Sequence, residues 1–361
     1  MKPSSPAQYA QAAVDTMRRK FPKGSDLPPR NHFHYHQGVF LSGVYQTFLL
    51  NGREDDMAYL QEWVDANVDE RGHVLNQDQI CLDDIQPGIL LFPLEERTGD
   101  PRYRNALDQL AGELRLYPKN DEGGFWHQQR AAGQMWLDGL YMGGPFMTEY
   151  GRRFGDPALM DEAIRQALLM QEKTRIPETG LWRHAYDPAR QAQWADPKSG
   201  LSPEYWGRSV GWVPVAIVDE LDQIPQDHPG REDLRNLVRD LLTAVCRYQG
   251  PDGRWWQVLD KVGQEGNWPE NSCTCLFVAA ICKAVDQGIL DKTYLEAANK
   301  GYEGVIKSLE RQGDDLLIGD ICVGTGPGSY EEYCQRPTSI NDMHGVGAFL
   351  LMCAGMERVR A

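Results

Sequence analysis

Segments that are apolar all round alternate along this chain with segments that are apolar on one face only, and this alternation sharply limits the folds open to it. Gly38–Leu50 (GVFLSGVYQTFLL) reads as a fully buried helix and Met57–Val68 as an amphipathic one. The same pairing recurs in Pro87–Gly99 with Tyr103–Tyr117 and in Gly139–Gly155 with Pro157–Thr174. It continues in Ser209–Ile224 with Glu232–Gln249 and in Asn271–Gly288 with Tyr294–Glu310. A Gly/Asp/Pro turn and an acidic or proline helix start separate the members of each pair, as in TGDPRYRNAL from position 98 and FGDPALMDEA from position 154. The turns recur every 45 to 75 residues or so, which suits a helical-hairpin repeat with variable loops. An opening helix, Ala7–Phe21, has Ser4 and Ser5 as cap candidates, and a last buried helix, Gly345–Val359, can close a sixth pair. The pattern predicts an all-α fold, an (α/α)6 barrel of six helical hairpins in which residues 1–361 form one domain. An open solenoid is the alternative, and the lack of a fixed period favours closure. Strand signals are confined to Arg254–Lys261 and Asp315–Gly324.

Charge narrows the partners. Against 52 acidic residues stand 37 Lys and Arg, a net charge of −15. That average field repels a phosphate backbone and an anionic membrane surface, so neither nucleic acid nor a membrane is expected as a partner. A small acidic substrate stays open, because one arginine in a pocket outweighs distant charge. No stretch approaches the roughly 20 apolar residues of a membrane span. The opening MKPSSPAQYAQAAVDTMRRKFPKG lacks the apolar core of a secretory signal. The eight cysteines form no CxxC pair, so they read as small apolar residues of a cytoplasmic protein rather than as a zinc site or disulfide framework.

The chemistry concentrates in the loops that lead into the buried helices, which a barrel gathers at one mouth. Asn31–Gly38 (NHFHYHQG) offers three histidines, but their i, i+2 spacing on a helix does not gather ligands, so Tyr35 is the better pocket candidate. In Leu82–Gly88 (LDDIQPG), Asp83 and Asp84 read either as caps for the Pro87 helix or as pocket carboxylates. Asp138 lies in QMWLDGLYMGGPF among Trp136, Leu137, Leu140 and Tyr141. A carboxylate there must be paired or have a raised pKa, as a general acid requires. Gly180–Asp187 contributes Trp182, His184 and Tyr186. In Glu204–Trp212, Arg208 stands between Trp206 and Trp212. It can grip a carboxylate while the indoles stack on a sugar, or pack as a surface arginine on an aromatic. Glu265–Cys273 and Tyr330–Gly347 complete the set, the latter with Asp342 and His344 before the last helix. GTGPG (Gly324–Gly328) is glycine-rich but lacks the lysine of a phosphate loop.

Taken in order, LDDIQPG, QMWLDGLYMGGPF, WGRSVGW and NDMHGVGAF resemble the unsaturated rhamnogalacturonyl hydrolases of glycoside hydrolase family 105, over nearly the whole chain from Tyr35 to Gly345. The resemblance implies an (α/α)6 barrel that needs no metal or organic cofactor and acts, as a monomer or homodimer, on small oligosaccharides left by polysaccharide lyases. These substrates carry a 4,5-unsaturated uronic acid at the non-reducing end. The resemblance implies Asp138 as the catalytic acid that also activates water and Asp83 as the second pocket carboxylate, with Asp84 beside it. It places Tyr35, His127, Trp136, His184, Trp206 and Arg208 in the substrate pocket. Two positions depart from the family pattern: Phe33, where Trp is frequent, and Gln128, where Lys is frequent. A glucuronyl hydrolase of the same fold is the nearest alternative. A sugar epimerase using His184 and His344, or a non-catalytic sugar-binding protein, are readings from other classes.

Overall fold

The computed structural model describes residues 4–78 and 80–360. Six helical positions form an inner ring: α2 (Tyr35–Asn51), α4 (Leu91–Thr98), α6 (Asp138–Phe154), α8 (Gly207–Gln223), α10 (Asn271–Asp286) and α13 (Met343–Arg358). The last, α13, packs against α2 and so closes the ring. Outside it stand α1 (Pro6–Lys20), α3 (Glu54–Asn67), α5 (Pro101–Arg115), α7 (Pro157–Thr174), α9 (Arg231–Cys246) and α11 (Leu295–Ser308). Each outer helix packs on the inner helix of its own hairpin, and α1 completes the sixth pair by packing on α13. The architecture is therefore the (α/α)6 barrel that the helical alternation predicts.

Local chemistry sets the helix ends. Ser5 caps α1 by accepting from the Gln8 N–H. Asp100 and Asp156 cap α5 and α7, which open on Pro101 and Pro157. Gly99 and Gly155 end α4 and α6 with φ of 66° and 72°, a left-handed turn that glycine enters without strain. Ring closure depends on Gly347: a Cβ there would lie 2.4 Å from the Val39 carbonyl oxygen, so only glycine lets α13 and α2 approach this closely.

The structure corrects three local expectations. The segment from Pro87 does not start as an α-helix. It runs as a 3-10 turn over Gln86–Leu90, entered by a bond from the Gly88 N–H to the Ile85 carbonyl at 2.9 Å, before α4 begins. The expected strand Arg254–Lys261 is reduced to isolated bridges, Trp206 with Val258 and Trp256 with Pro269. The stretch Asp315–Gly324 splits into two strands in different ribbons, Asp315–Leu317 and Ile321–Cys322. A short helix, α12 (Tyr330–Cys334), appears where the sequence shows no helical period and is held by a Ser329/Glu332 capping box.

Candidate active site

The loops before the inner helices enclose a cavity of about 930 Å³. Asp138 is the first residue of α6 and lines this cavity together with Asp83, Tyr35, His127, Trp136 and Trp206. A two-stranded ribbon fixes its neighbourhood: Met135–Trp136 pairs antiparallel with Ala185–Tyr186, with Trp136 opposite Ala185. That pairing brings His184 to Asp138, and Nε2 of His184 lies 3.0 Å from Oδ2 of Asp138. The Asp138 carboxyl is thus paired through Oδ2. Oδ1 of Asp138 has no hydrogen-bond partner among the described residues.

A second bond orients the imidazole. The Tyr333 hydroxyl lies 2.6 Å from Nδ1 of His184 and accepts from the Gly328 N–H at 3.1 Å. Burial pushes the Tyr333 hydroxyl well above its usual pKa, so it keeps its proton. Burial likewise pushes His184 below its usual value, against the pull of Asp138. A neutral imidazole has one donor and one acceptor nitrogen. With its oxygen already accepting from the Gly328 N–H, the Tyr333 hydroxyl has its own proton to give to Nδ1, an arrangement that puts the proton of a neutral His184 on Nε2, facing Asp138. Stacking holds this chain in place: Trp206 lies parallel to Tyr333 with centroids 5.8 Å apart, and His184 packs on Trp206 at 4.8 Å.

The adjacent carboxylates Asp83 and Asp84 separate cleanly. Asp83 faces the cavity, with Oδ1 3.4 Å from Nε2 of His127, whose ring stacks on Trp136 at 4.5 Å. Burial alone would raise the Asp83 carboxyl, but His127, His34 and His36 overcome it and hold the group at about 2. Asp84 is turned away. It is bound by His34 Nδ1 at 2.6 Å and by the Asp78 N–H at 2.6 Å. Neither carboxylate acts as a side-chain cap for the Pro87 segment.

Two of the expected pocket residues lie behind the cavity wall. His184 is fully buried and reaches the cavity through Asp138. Arg208 is 1% exposed and is neither a cavity residue nor a surface one. Its guanidinium donates to the carbonyls of Cys322 at 2.7 Å and Val323 at 3.0 Å, and sits 4.4 Å over the Trp206 ring. Those carbonyls occupy the donors that the sequence reading assigns to a substrate carboxylate. Trp212 is likewise in the core, stacked on Tyr141. Phe33 is buried against Trp63.

The histidine cluster also differs from expectation. His32 and His34 lie in an extended approach to α2, where i, i+2 puts both on one side. Their rings stack at 4.5 Å, and both face Asp84. They could hold a cation with Asp84, as could His36 with Asp342 and His344, since the ligand atoms within each group lie within 4.8 Å of one another. In the second group Nδ1 of His344 is 2.8 Å from Asp342, and its Nε2–H donates to the Cys322 carbonyl at 3.1 Å. His344 is thus buried away from the cavity and does not face His184 across it, as the paired bases of an epimerase would.

Residue reasoning from the sequence leaves out Tyr333, and it sets aside His36 with the other two histidines and leaves out Arg130 and Arg336. His36, Arg130 and Arg336 line the cavity and Tyr333 backs it. The only signal for Tyr333 is its place in a loop rich in aromatic and titratable residues.

The ring, the two carboxylates on one cavity and the aromatic lining suit a glycoside hydrolase. The chain belongs to Glycosyl Hydrolase Family 88, whose model matches residues 9–360. Over 228 residues it is 35% identical to Protein Atu3128 of Agrobacterium fabrum, covering 59% of this chain and 97% of that protein. Over 330 residues it is 26% identical to "Unsaturated rhamnogalacturonyl hydrolase YesR" of Bacillus subtilis, covering 90% and 89% of the two. A solved structure of a family 105 glycoside hydrolase from C. acetobutylicum superposes with a TM-score of 0.92 at 29% identity, covering 97% and 99% of the chains. The resemblance to family 105 read from the motifs agrees with these findings.

Proposed function

We propose that this protein is an unsaturated rhamnogalacturonyl hydrolase that hydrates the 4,5 double bond of a non-reducing-end unsaturated uronic acid. The observation that carries this reading is the placement of Asp138 and Asp83 on one cavity, the first bonded to a neutral histidine. In the reaction, Asp138 gives a proton to C4 of the enol ether. Positive charge develops at C5, stabilised by the ring oxygen. Water adds at C5 and returns its proton to Asp138. The resulting hemiketal opens by breaking the C5–ring oxygen bond, and the leaving sugar departs from C1. Asp83, held ionised by its histidine neighbours, stabilises the developing positive charge. Tyr35, His127, Trp136 and Trp206 line the space for the ring, while His184 and Arg208 act from behind by positioning Asp138 and Trp206. We read residues 1–361 as one catalytic domain, a reading supported by the closed ring. A cytoplasmic location is supported by eight unpaired cysteines. Among the described residues no helix is long and apolar enough to cross a membrane.

The test follows the ultraviolet absorbance of an unsaturated galacturonyl-rhamnose disaccharide, since hydration destroys the conjugated double bond. Absorbance falls with the native protein. Asp138→Asn lowers the rate by about 100- to 10,000-fold, the range for loss of a general acid, with saccharide binding retained. Loss of signal only with an unsaturated glucuronyl disaccharide would keep the mechanism and move the substrate. No loss with either would refute the reading.

A further inference from the structure

We propose that the outer part of the cavity is an anion subsite, in which Arg130 and Arg336 hold a carboxylate on the leaving portion of the substrate. The inference rests on the hydration reading for which carboxylate is meant, and on geometry for the subsite itself. Both arginines line the cavity, and neither lies within 4 Å of a carboxylate among the described residues. Arg130 is exposed at the rim, where its Nε–H donates to the Gln128 side-chain oxygen at 2.8 Å. That bond aims the guanidinium and leaves its terminal N–H groups without a partner among the described residues. Arg336 is half-buried and donates to the Gly324 carbonyl, while its Nε–H is buried without a partner.

The two arginines belong to loops that meet. A Cβ at Gly326 would lie 3.1 Å from the Trp136 ring, so the Gly324–Arg336 loop abuts the loop that carries Arg130 and Trp136. The glycine-rich segment Gly324–Gly326 lines the same cavity, and its backbone N–H groups have no acceptor among the described residues. Guanidinium forks and free amide donors are the donors that a planar carboxylate takes bidentately. The reacting ring belongs deeper, between Asp138, Asp83, Trp136 and Trp206. A cavity of about 930 Å³ lies near the upper end of small-molecule sites and has room for a second sugar. The acid group therefore stands beyond the bond being cleaved. It is carried either by the adjacent sugar or by the one after it.

The experiment compares three substrates: unsaturated galacturonyl-rhamnose, unsaturated galacturonyl-galacturonate, and the trisaccharide in which a galacturonate follows the rhamnose. The native protein is expected to favour at least one substrate with an acidic leaving portion over the one whose leaving sugar is neutral in kcat/KM, and salt should weaken that preference. Arg130→Gln should lower the acidic-to-neutral ratio by about 10- to 100-fold, the worth of a charged hydrogen bond. Which acidic substrate shows the drop tells which sugar carries the acid. Arg336→Gln should lower the same ratio, and the exposed Arg130 keeps the test valid where the Arg336 variant misfolds. The ratio is also read without turnover, as dissociation constants from tryptophan fluorescence in an Asp138→Asn background, because Trp136 and Trp206 line the cavity. An unchanged ratio in the Arg130 variant, or no preference for an acid in the native protein, overturns the subsite while hydration stands. Failure to hydrate all three overturns the functional reading, and the binding ratio then still decides the subsite.

Discussion

Tyr333→Phe isolates the positioning chain behind Asp138. The substitution keeps a buried ring that can still stack on Trp206, where the native planes lie 9° from parallel. It deletes one oxygen. That oxygen serves His184 Nδ1 at 2.6 Å and the Gly328 N–H at 3.1 Å, and Tyr333 is 1% exposed. Each buried group left unpaired costs about 1–3 kcal/mol, so the variant, which strands two, should lose about 2–6 kcal/mol of stability. The effect on rate follows from the tautomer. Without the phenol, nothing fixes the proton on Nε2, and Asp138 loses its oriented partner. Misplacing a reacting group by about 1 Å can cost roughly 100-fold, so kcat should fall about 10- to 100-fold. KM should barely move, because Tyr333 does not line the cavity. Initial rates from the ultraviolet assay, at saturating and limiting substrate, give kcat and KM, and urea unfolding gives the stability. A variant with kcat within about twofold of the parent, yet destabilised as expected, would refute the chain from Tyr333 through His184 to Asp138.

Other substitutions test separate steps. Asp83 has its carboxyl held at about 2, below its ordinary value. A depressed pKa contributes stability that is present above the unfolded value and lost as pH falls through the folded one. Asp83→Asn should therefore remove about 2 kcal/mol near neutrality and flatten the acid limb between roughly pH 4 and pH 2, read by urea midpoints across that window. Arg208→Met should cost about 3–5 kcal/mol, because it leaves the Cys322 and Val323 carbonyls and buried Glu270 without their cation. A rise in KM with unchanged stability would instead restore Arg208 as a substrate clamp. Gly347→Ala should destabilise by about 1–3 kcal/mol in chemical denaturation, since its Cβ meets the Val39 carbonyl at 2.4 Å.

The parts of this molecule that could be read from the chain are those governed by local chemistry. Pro157–Thr174 is found where the periodicity places it, because proline, an aspartate cap and an apolar stripe all act within one helix. Ring closure is also legible, since a buried helix needs neighbours on every side and the final one has only the first hairpin to meet. Asp138 could be picked out because a carboxylate among apolar residues is anomalous on its own. Arg208 shows where such reading fails. Two flanking tryptophans suggest a pocket, yet the carbonyls that occupy its guanidinium come from residues 322 and 323, more than a hundred positions away. Asp83 and Asp84 could not be separated for a similar reason. Their difference lies in which histidine each one faces, and His34 and His127 arrive from different loops. Tyr333 is the extreme case, 149 residues from the imidazole it orients. A barrel gathers six distant loops at one mouth, so the identity of the acid is written locally while the tautomer that aims a proton at it is written across the ring. Substitutions that alter the chemistry of this site are therefore to be sought as much in the last loops of the chain as beside Asp138.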